Sequence, residues 1–447
     1  MNARAKGLAE IRKYPSAVAG LLIVAVLVAM SVYAPLAIPY ERAVALWRGG
    51  EAASADNPRN AAPAWLNLFP GINLPTTMVL DSRRIAGSKT WEAADGIKEV
   101  RIELPVEYGF DGFPKELSLV FEGTIHGADA FVSVFWETPD GRSIRLADQG
   151  VRSATTIRIT QLARVQRQVE NMPLEIGLFA RPGTAAAPEP LKGTYRLVVD
   201  ALLFDEADEL DARLVVYGQL HGWAGTDHRR RDLSVALLWG APVALSFGLL
   251  AAVGLTLSTM ALAAAGAWWG GWVDAMIQRI TEVNMILPLL PVLIMVGTLS
   301  SRSIWVILGV IILFGMFGGG IKTFRAMFLQ VKESSYIDAA KAYGASSPRI
   351  ILRYMIPRVA PVAVPNFVVL IPSYVFLEAT LSVLGLGDPV LPTWGKVLED
   401  AYSNGALFNG HYYWVLGPAV LLVLTGLGFS LLGFALDRIF NPRLREM

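Results

Sequence analysis

Four histidines, His126, His221, His228 and His411, are the side chains best suited to acid–base or metal chemistry, and they are scattered along a chain of 447 residues. His221 and His228 lie seven apart with no third ligand at a metal-site spacing, and no Ser/His/Asp elbow accompanies them. There are no cysteines, which removes disulfides, thiolate catalysis and Cys-based metal sites. The run GMFGGGIKT at 315–323 has the glycines and lysine of a phosphate loop, but Ile321 separates Gly320 from Lys322. A phosphate loop needs the sequence GxxxxGK[ST] after a strand, and this run ends an apolar stretch. No catalytic residue, bound cofactor or metal is expected in this chain.

Two other polar groups stand out. Glu378 is a carboxylate deep in an apolar stretch, with Asn366 and Ser373 upstream. Such residues mark a solute pathway or an interhelical hydrogen bond. Asp227 and Asp232 flank Arg229, Arg230 and Arg231. Asp227, Arg231 and Asp232 could form a gate at an outer entrance, or Asp232 could simply cap the helix that follows.

The elements that must position these groups follow from hydropathy. Hydrophobic residues make up 53% of the chain and charged residues only 17%, against about 25% charged in soluble domains. The deficit is concentrated in apolar runs near 17–38, 234–264, 283–299, 304–321, 359–383 and 414–436, about the length a membrane span needs. Arg4, Lys6, Arg12 and Lys13 precede the first run, so the positive-inside rule makes 1–14 a cytoplasmic tail and 15–38 the first span. Six spans return the C-terminus to the cytoplasm, in agreement with the basic residues between 322 and 358 and with Arg438, Arg443 and Arg445. Net charge is +1 with no basic module, so no nucleic-acid partner is expected.

Residues 39–222 read differently. KEVRIEL, LSLVFEG, AFVSVFWE, TYRLVVDALLF and ARLVVYG alternate apolar and polar residues between turn signals such as PDGR at 139–142. This predicts an inserted, extracytoplasmic, β-rich domain with sandwich character. Its aromatic runs FVSVFWE and WLNLFPG read as core. Docking or scaffolding is the favoured role, ahead of sensing.

The segment YIDAAKAYGASSPRIILRYMIP at 336–357 interrupts the apolar part of the chain. Ser335 with Asp338 three residues on has capping-box spacing. Gly344 suits the position after a helix, and Ser347–Pro348 a restart with Pro first. Pro357 ends the unit or kinks it. Tyr336, Ala340 and Tyr343 fall at i, i+4 and i+7, the spacing of one helix face. The result is a helix–turn–helix elbow on the cytoplasmic side, whose small and aromatic residues suit a partner's groove.

The same segment resembles the EAA coupling motif of binding-protein-dependent ABC importer permeases, with Asp338, Ala339, Ala340, Gly344 and Pro357 at motif positions. Asp replaces the usual Glu, and Tyr354 stands where the peptide subfamily usually has His. GTDHRRRD at 225–232, GGWVDAMIQRITEVNMILPLLP, LEATLSVLGLGDPVLPTWGKVL and NPRLR at 441–445 resemble further signatures of the second permease of dipeptide, oligopeptide and nickel importers. The resemblance covers the first span and 223–447, leaving 39–222 outside it. It implies a polytopic α-helical membrane protein with a type I importer core. It also implies a second permease, separate ATPase subunits that bind ATP and Mg, and an external solute-binding protein. By resemblance, Asp338, Ala339, Ala340, Gly344 and Pro357 would meet the ATPase, and Tyr336 and Tyr343, on the face the spacing selects, are expected to meet it with them. The competing expectation is a membrane-anchored sensor or scaffold whose β domain does the work.

Overall fold

The computed structural model describes residues 15–49, 54–94 and 97–440. The basic residues at 4–13, the 1–14 tail and the 441–445 ending lie outside them. The chain divides into two units, one from Gly49–Ser234 and one from the segments on either side.

In the first unit the alternating runs become strands. β1 (Met78–Asp81), β4 (Glu116–Thr124), β7 (Thr155–Arg158) and β9 (Glu209–Tyr217) make one sheet in the order β1-β9-β4-β7. β2 (Lys89–Ala94), β3 (Ile97–Tyr108), β5 (Ala130–Glu137), β6 (Ser143–Val151) and β8 (Gly193–Leu203) make the other, in the order β2-β3-β8-β5-β6. Every strand pairing is antiparallel. Inward residues of both sheets, among them Ile102, Leu104, Leu119, Phe121, Val134, Val199 and Leu214, share one core. The unit is therefore a β-sandwich.

The five expected strand runs are all present. β1, β2 and β7 are short and β6 carries Arg145 and Asp148, so none of the four shows a strong period-2 signal. PDGR forms the β5–β6 turn, with Gly141 at φ 87°. The unit starts at Gly49 rather than 39, because 40–48 is an amphipathic helix assigned to the other unit.

The aromatic expectation is half corrected. Trp136 is fully buried, stacks on Tyr195 at 5.5 Å and donates its indole N–H to Leu178 O at 3.1 Å. WLNLFPG is not core. Ala64–Leu68 is a 3-10 turn whose Trp65 and Leu68, with Phe69 beyond it, are exposed. Three residues per turn puts positions 65 and 68 on the same side.

The helical unit holds α1 (Pro15–Ala37), α2 (Tyr40–Arg48), α3 (Leu233–Trp269), α4 (Gly271–Ile286), α5 (Leu289–Leu299), α6 (Ile304–Gly315), α7 (Gly320–Lys332), α8 (Ser335–Ala342), α9 (Ser347–Leu386), α10 (Trp394–Ser403) and α11 (Tyr412–Phe440). By length and composition α1, α3, α9 and α11 could each cross a membrane, and the pairs α4/α5 and α6/α7 could each make one bent span. Two of the expected spans are thus broken. α4 and α5 meet at 81° because Leu287, preceding Pro288, is forced extended at φ −76°, ψ 123°. α6 and α7 meet at 50°, at the glycine run that suggested a phosphate loop.

Candidate functional site

The 335–357 elbow is built from its caps. α8 begins after Ser334, which holds the extended N-cap conformation at φ −82°, ψ 139° without a side-chain cap. The anticipated capping box does not form. Ser335 lies inside the helix, and Asp338 pairs with Lys341 at 3.1 Å instead. At the other end Gly344 adopts φ 74°. Gly344 N–H donates to Lys341 O at 2.9 Å and Ala345 N–H to Ala340 O at 3.0 Å, the paired bonds of a Schellman cap. The helix restarts one residue earlier than expected, with Ser346 as cap and Pro348 second inside.

Burial corrects the assignment of faces. Ile337 and Ala340 are buried together with Met260, Ala263 and Ala267 of α3, Phe324 and Phe328 of α7, and Ile350, Ile351 and Met355 of α9. Tyr336 and Tyr343 do not share that face: they are 41% and 92% exposed. Asp338 and Ala339 are exposed with them. Two positions pack the helix down and the rest face outward, because i, i+3 spacing selects 337 and 340 for the core. Ile337, which composition alone did not single out, is the anchor.

Pro357 does not end the unit. A π turn at Ile351–Met355, closed by Ile356 N–H donating to Ile351 O, carries the backbone into Ile356–Leu381. The wider turn absorbs the N–H that Pro357 lacks. The elbow is therefore continuous with a 40-residue helix.

Along α9 the three polar candidates separate. Asn366 and Ser373 are exposed, as is Thr380 seven residues further on, which the sequence reading missed although the heptad spacing carried it. Ser373 and Thr380 return their hydroxyls to Val369 O and Phe376 O at 3.1 and 2.8 Å. Glu378 is 5% exposed and accepts from Ser382 Oγ at 2.8 Å. It borders a cavity of about 10 Å³ with Phe247, Ile304 and Leu386, at the lower limit for a single water. The LEATLSVLGLGDPVLPTWGKVL block folds onto itself here. A Cβ at Gly395 would stand 2.6 Å from Ser382 Cβ and 2.7 Å from Ala379 Cα. Trp394, fully buried, donates to Leu237 O at 2.9 Å and lies where a Cβ on Gly240 would point.

The acidic–basic cluster sits inside the sandwich unit. Asp227 is fully buried and Arg231 nearly so; Arg231 Nε donates to Asp227 Oδ2 at 2.5 Å. The N–H groups of Arg229 and Arg231 donate to Asp227 Oδ1 at 2.8 and 2.9 Å. Arg230, at φ 65°, donates to Asn57 O at 2.7 Å, pairs with Glu116 and lies 4.3 Å over the Tyr217 ring. Asp232 caps α3 by accepting from Ser234 N–H at 2.8 Å. Burial lowers the His221 pKa, while Asp232 pulls it the other way. Among the described residues no three His, Asp or Glu side chains are gathered to hold a metal.

Residues 254–446 match the family described as binding-protein-dependent transport system inner membrane component. The chain is 30% identical over 225 residues to the dipeptide transport system permease protein DppC of Bacillus subtilis, covering 50% of this chain and 69% of that one. It is 31% identical over 229 residues to the glutathione transport system permease protein GsiD of Escherichia coli, covering 51% and 74%. The peptidoglycan transport system permease protein YejE of Agrobacterium fabrum is 30% identical over 184 residues, covering 41% and 48%.

Proposed function

Because the chain belongs to the peptide-family permeases of binding-protein-dependent ABC importers, inner-membrane transport subunits and not themselves enzymes, we propose that it forms half of a translocation pathway for di- or oligopeptides and takes its driving force through α8. The supporting observation is the elbow: α8 is clamped by Ile337 and Ala340, closed by a Schellman cap and continuous with α9, while Tyr336, Asp338, Ala339 and Tyr343 face outward. A helix with an exposed outer face and a direct backbone link to a long apolar helix has the form of a lever. In this reading ATP and Mg bind a separate ATPase, whose closure pushes α8 and biases α9 between two states.

The elbow and both termini then lie on the cytoplasmic side and the sandwich outside, with a docking or scaffolding role toward the solute-binding protein or a second permease. The exposed stripe of Asn366, Ser373 and Thr380 faces the pathway. Glu378 holds the α9–α10 connection, and the Asp227–Arg231 pair holds the loop before α3. Peptides are the solute class suggested by the names of the dipeptide and glutathione relatives. The test is a Tyr343→Cys variant of this cysteine-free chain, purified with its co-expressed subunits. A disulfide or short-linker cross-link to the ATPase, changed by ATP, is expected; cross-linking to no subunit overturns the reading.

A further inference from the structure

Among the described residues, the sandwich unit carries an exposed apolar patch that its own core does not use. Leu68 is 84% exposed, Trp223 67%, Phe69 53%, Trp65 44% and Ile72 37%. Trp65 donates its indole N–H to Trp223 O at 3.1 Å and its ring lies 6.1 Å from Phe69. Ile72 N–H returns to Phe69 O at 3.2 Å. The two segments are laced together by Ala62 N–H to Gln219 O, Ala64 N–H to Gly222 O and Thr226 N–H to Ala61 O, each at 2.9 Å. The backbone is fixed, so the outward direction of these side chains is built in. Large exposed patches of this kind mark a binding surface.

Three observations select the occupant. The first is position along the chain. Gly225 O accepts from the N–H of Leu233, first residue of the 37-residue apolar helix α3, at 3.0 Å. Trp223 is two residues from Gly225, no more than about 7 Å of chain, so the patch lies close along the chain to the start of a helix long and apolar enough to cross a membrane. The second is charge. Neither 57–74 nor 218–226 contains a carboxylate, and Asp111, whose N–H donates to Asn73 O at 2.9 Å, is paired with Lys192 at 2.5 Å. Exposed Arg229 lies between the patch and α3. The third is composition: two tryptophans, a phenylalanine, a leucine and an isoleucine on a short loop are the residues that settle at the headgroup boundary.

We propose that Trp65, Leu68, Phe69, Ile72 and Trp223 insert into the lipid headgroup–acyl boundary, and that the sandwich is thereby held to the outer bilayer surface by a lipid contact of its own. Trp65 and Trp223 sit at the headgroup level, Leu68 reaches deepest, and Arg229 faces lipid phosphates. The role goes beyond that of the transport subunit and stands whether or not α8 meets an ATPase.

The absence of cysteine permits the test in the full-length chain. Leu68→Cys, Trp223→Cys and, on a polar loop of the same unit, Thr184→Cys are each spin-labelled. Each is purified with its co-expressed subunits and reconstituted into phosphatidylcholine/phosphatidylglycerol vesicles. Collision with lipid-soluble oxygen is compared with collision with a water-soluble nickel chelate. Expected is an oxygen-to-nickel accessibility ratio several-fold higher at 68 and 223 than at 184. Labels at 68 and 223 that collide freely with nickel overturn the proposal. So do labels shielded from both reagents, which would put a protein on the patch. Leu68→Cys replaces an exposed side chain and keeps the test open if the Trp223 variant folds poorly.

Discussion

The N–H of Ala345 reaches back over Gly344 to the carbonyl of Ala340 at 3.0 Å, closing α8 at the residue whose side chain also pins it to the core. A Cβ on Gly344 would meet nothing within 4 Å, so only its φ of 74° demands glycine. Gly344→Val is therefore expected to strain the cap by about 1–2 kcal/mol. Solute-stimulated ATPase activity and uptake should fall in the reconstituted complex while the amount of chain in the membrane is unchanged. Gly344→Asn, which tolerates this conformation, should recover most of both. Wild-type coupling in the valine variant would remove the lever from the mechanism.

Glu378 and Ser373 lie on one helix in different environments. Glu378→Ala leaves the buried Ser382 hydroxyl without its carboxylate acceptor and should lower stability by about 1–3 kcal/mol, read as the thermal midpoint in detergent. Ser373 is exposed and satisfied by Val369 O. Ser373→Phe should leave the midpoint unchanged and depress uptake. An effect on the midpoint alone would take Ser373 out of the pathway.

The buried Asp227–Arg231 pair predicts an asymmetric loss. Asp227→Ala removes the carboxylate that accepts from the buried Arg231 Nε and from two backbone N–H groups, and should cost about 3–5 kcal/mol. Arg231→Met, which keeps the stem volume, should cost less than Asp227→Ala. Denaturant unfolding followed by tryptophan fluorescence ranks the two; equal and small losses would show that the pair does not hold the loop.

His221 gives the sandwich a pH dependence of known sign. Burial holds its folded pKa below the ordinary imidazole value, so the unfolded chain binds the proton more readily. Its contribution to stability is full above roughly pH 6.5, the unfolded value. It declines as pH drops through that value toward the lower folded pKa. His221→Gln should flatten the profile between pH 7 and pH 5. A wild-type profile as flat as the variant's would refute the assignment.

The sequence by itself determined the class of the protein. Apolar runs of span length, period-2 strands and the spaced motif at 336–357 are local, one-dimensional signals that survive without knowing what packs on what. It also determined that the turn after α8 needs glycine, because a left-handed residue after a helix is set by backbone sterics. Only the tertiary structure decided which side of each element is covered. Tyr336 and Tyr343 match Ala340 in spacing, yet Ala340 turns inward because α3 and α7 supply the packing surface for it and Ile337. Asn366, Ser373 and Glu378 read alike as polar residues in an apolar run, and the contacts with Ser382 and Phe247 separate them. The two aromatic runs of the sandwich read alike as core. One is enclosed between sheets, and the other is held outward by pairing with 218–226. Burial is a property of neighbours distant in sequence, and no local pattern encodes it.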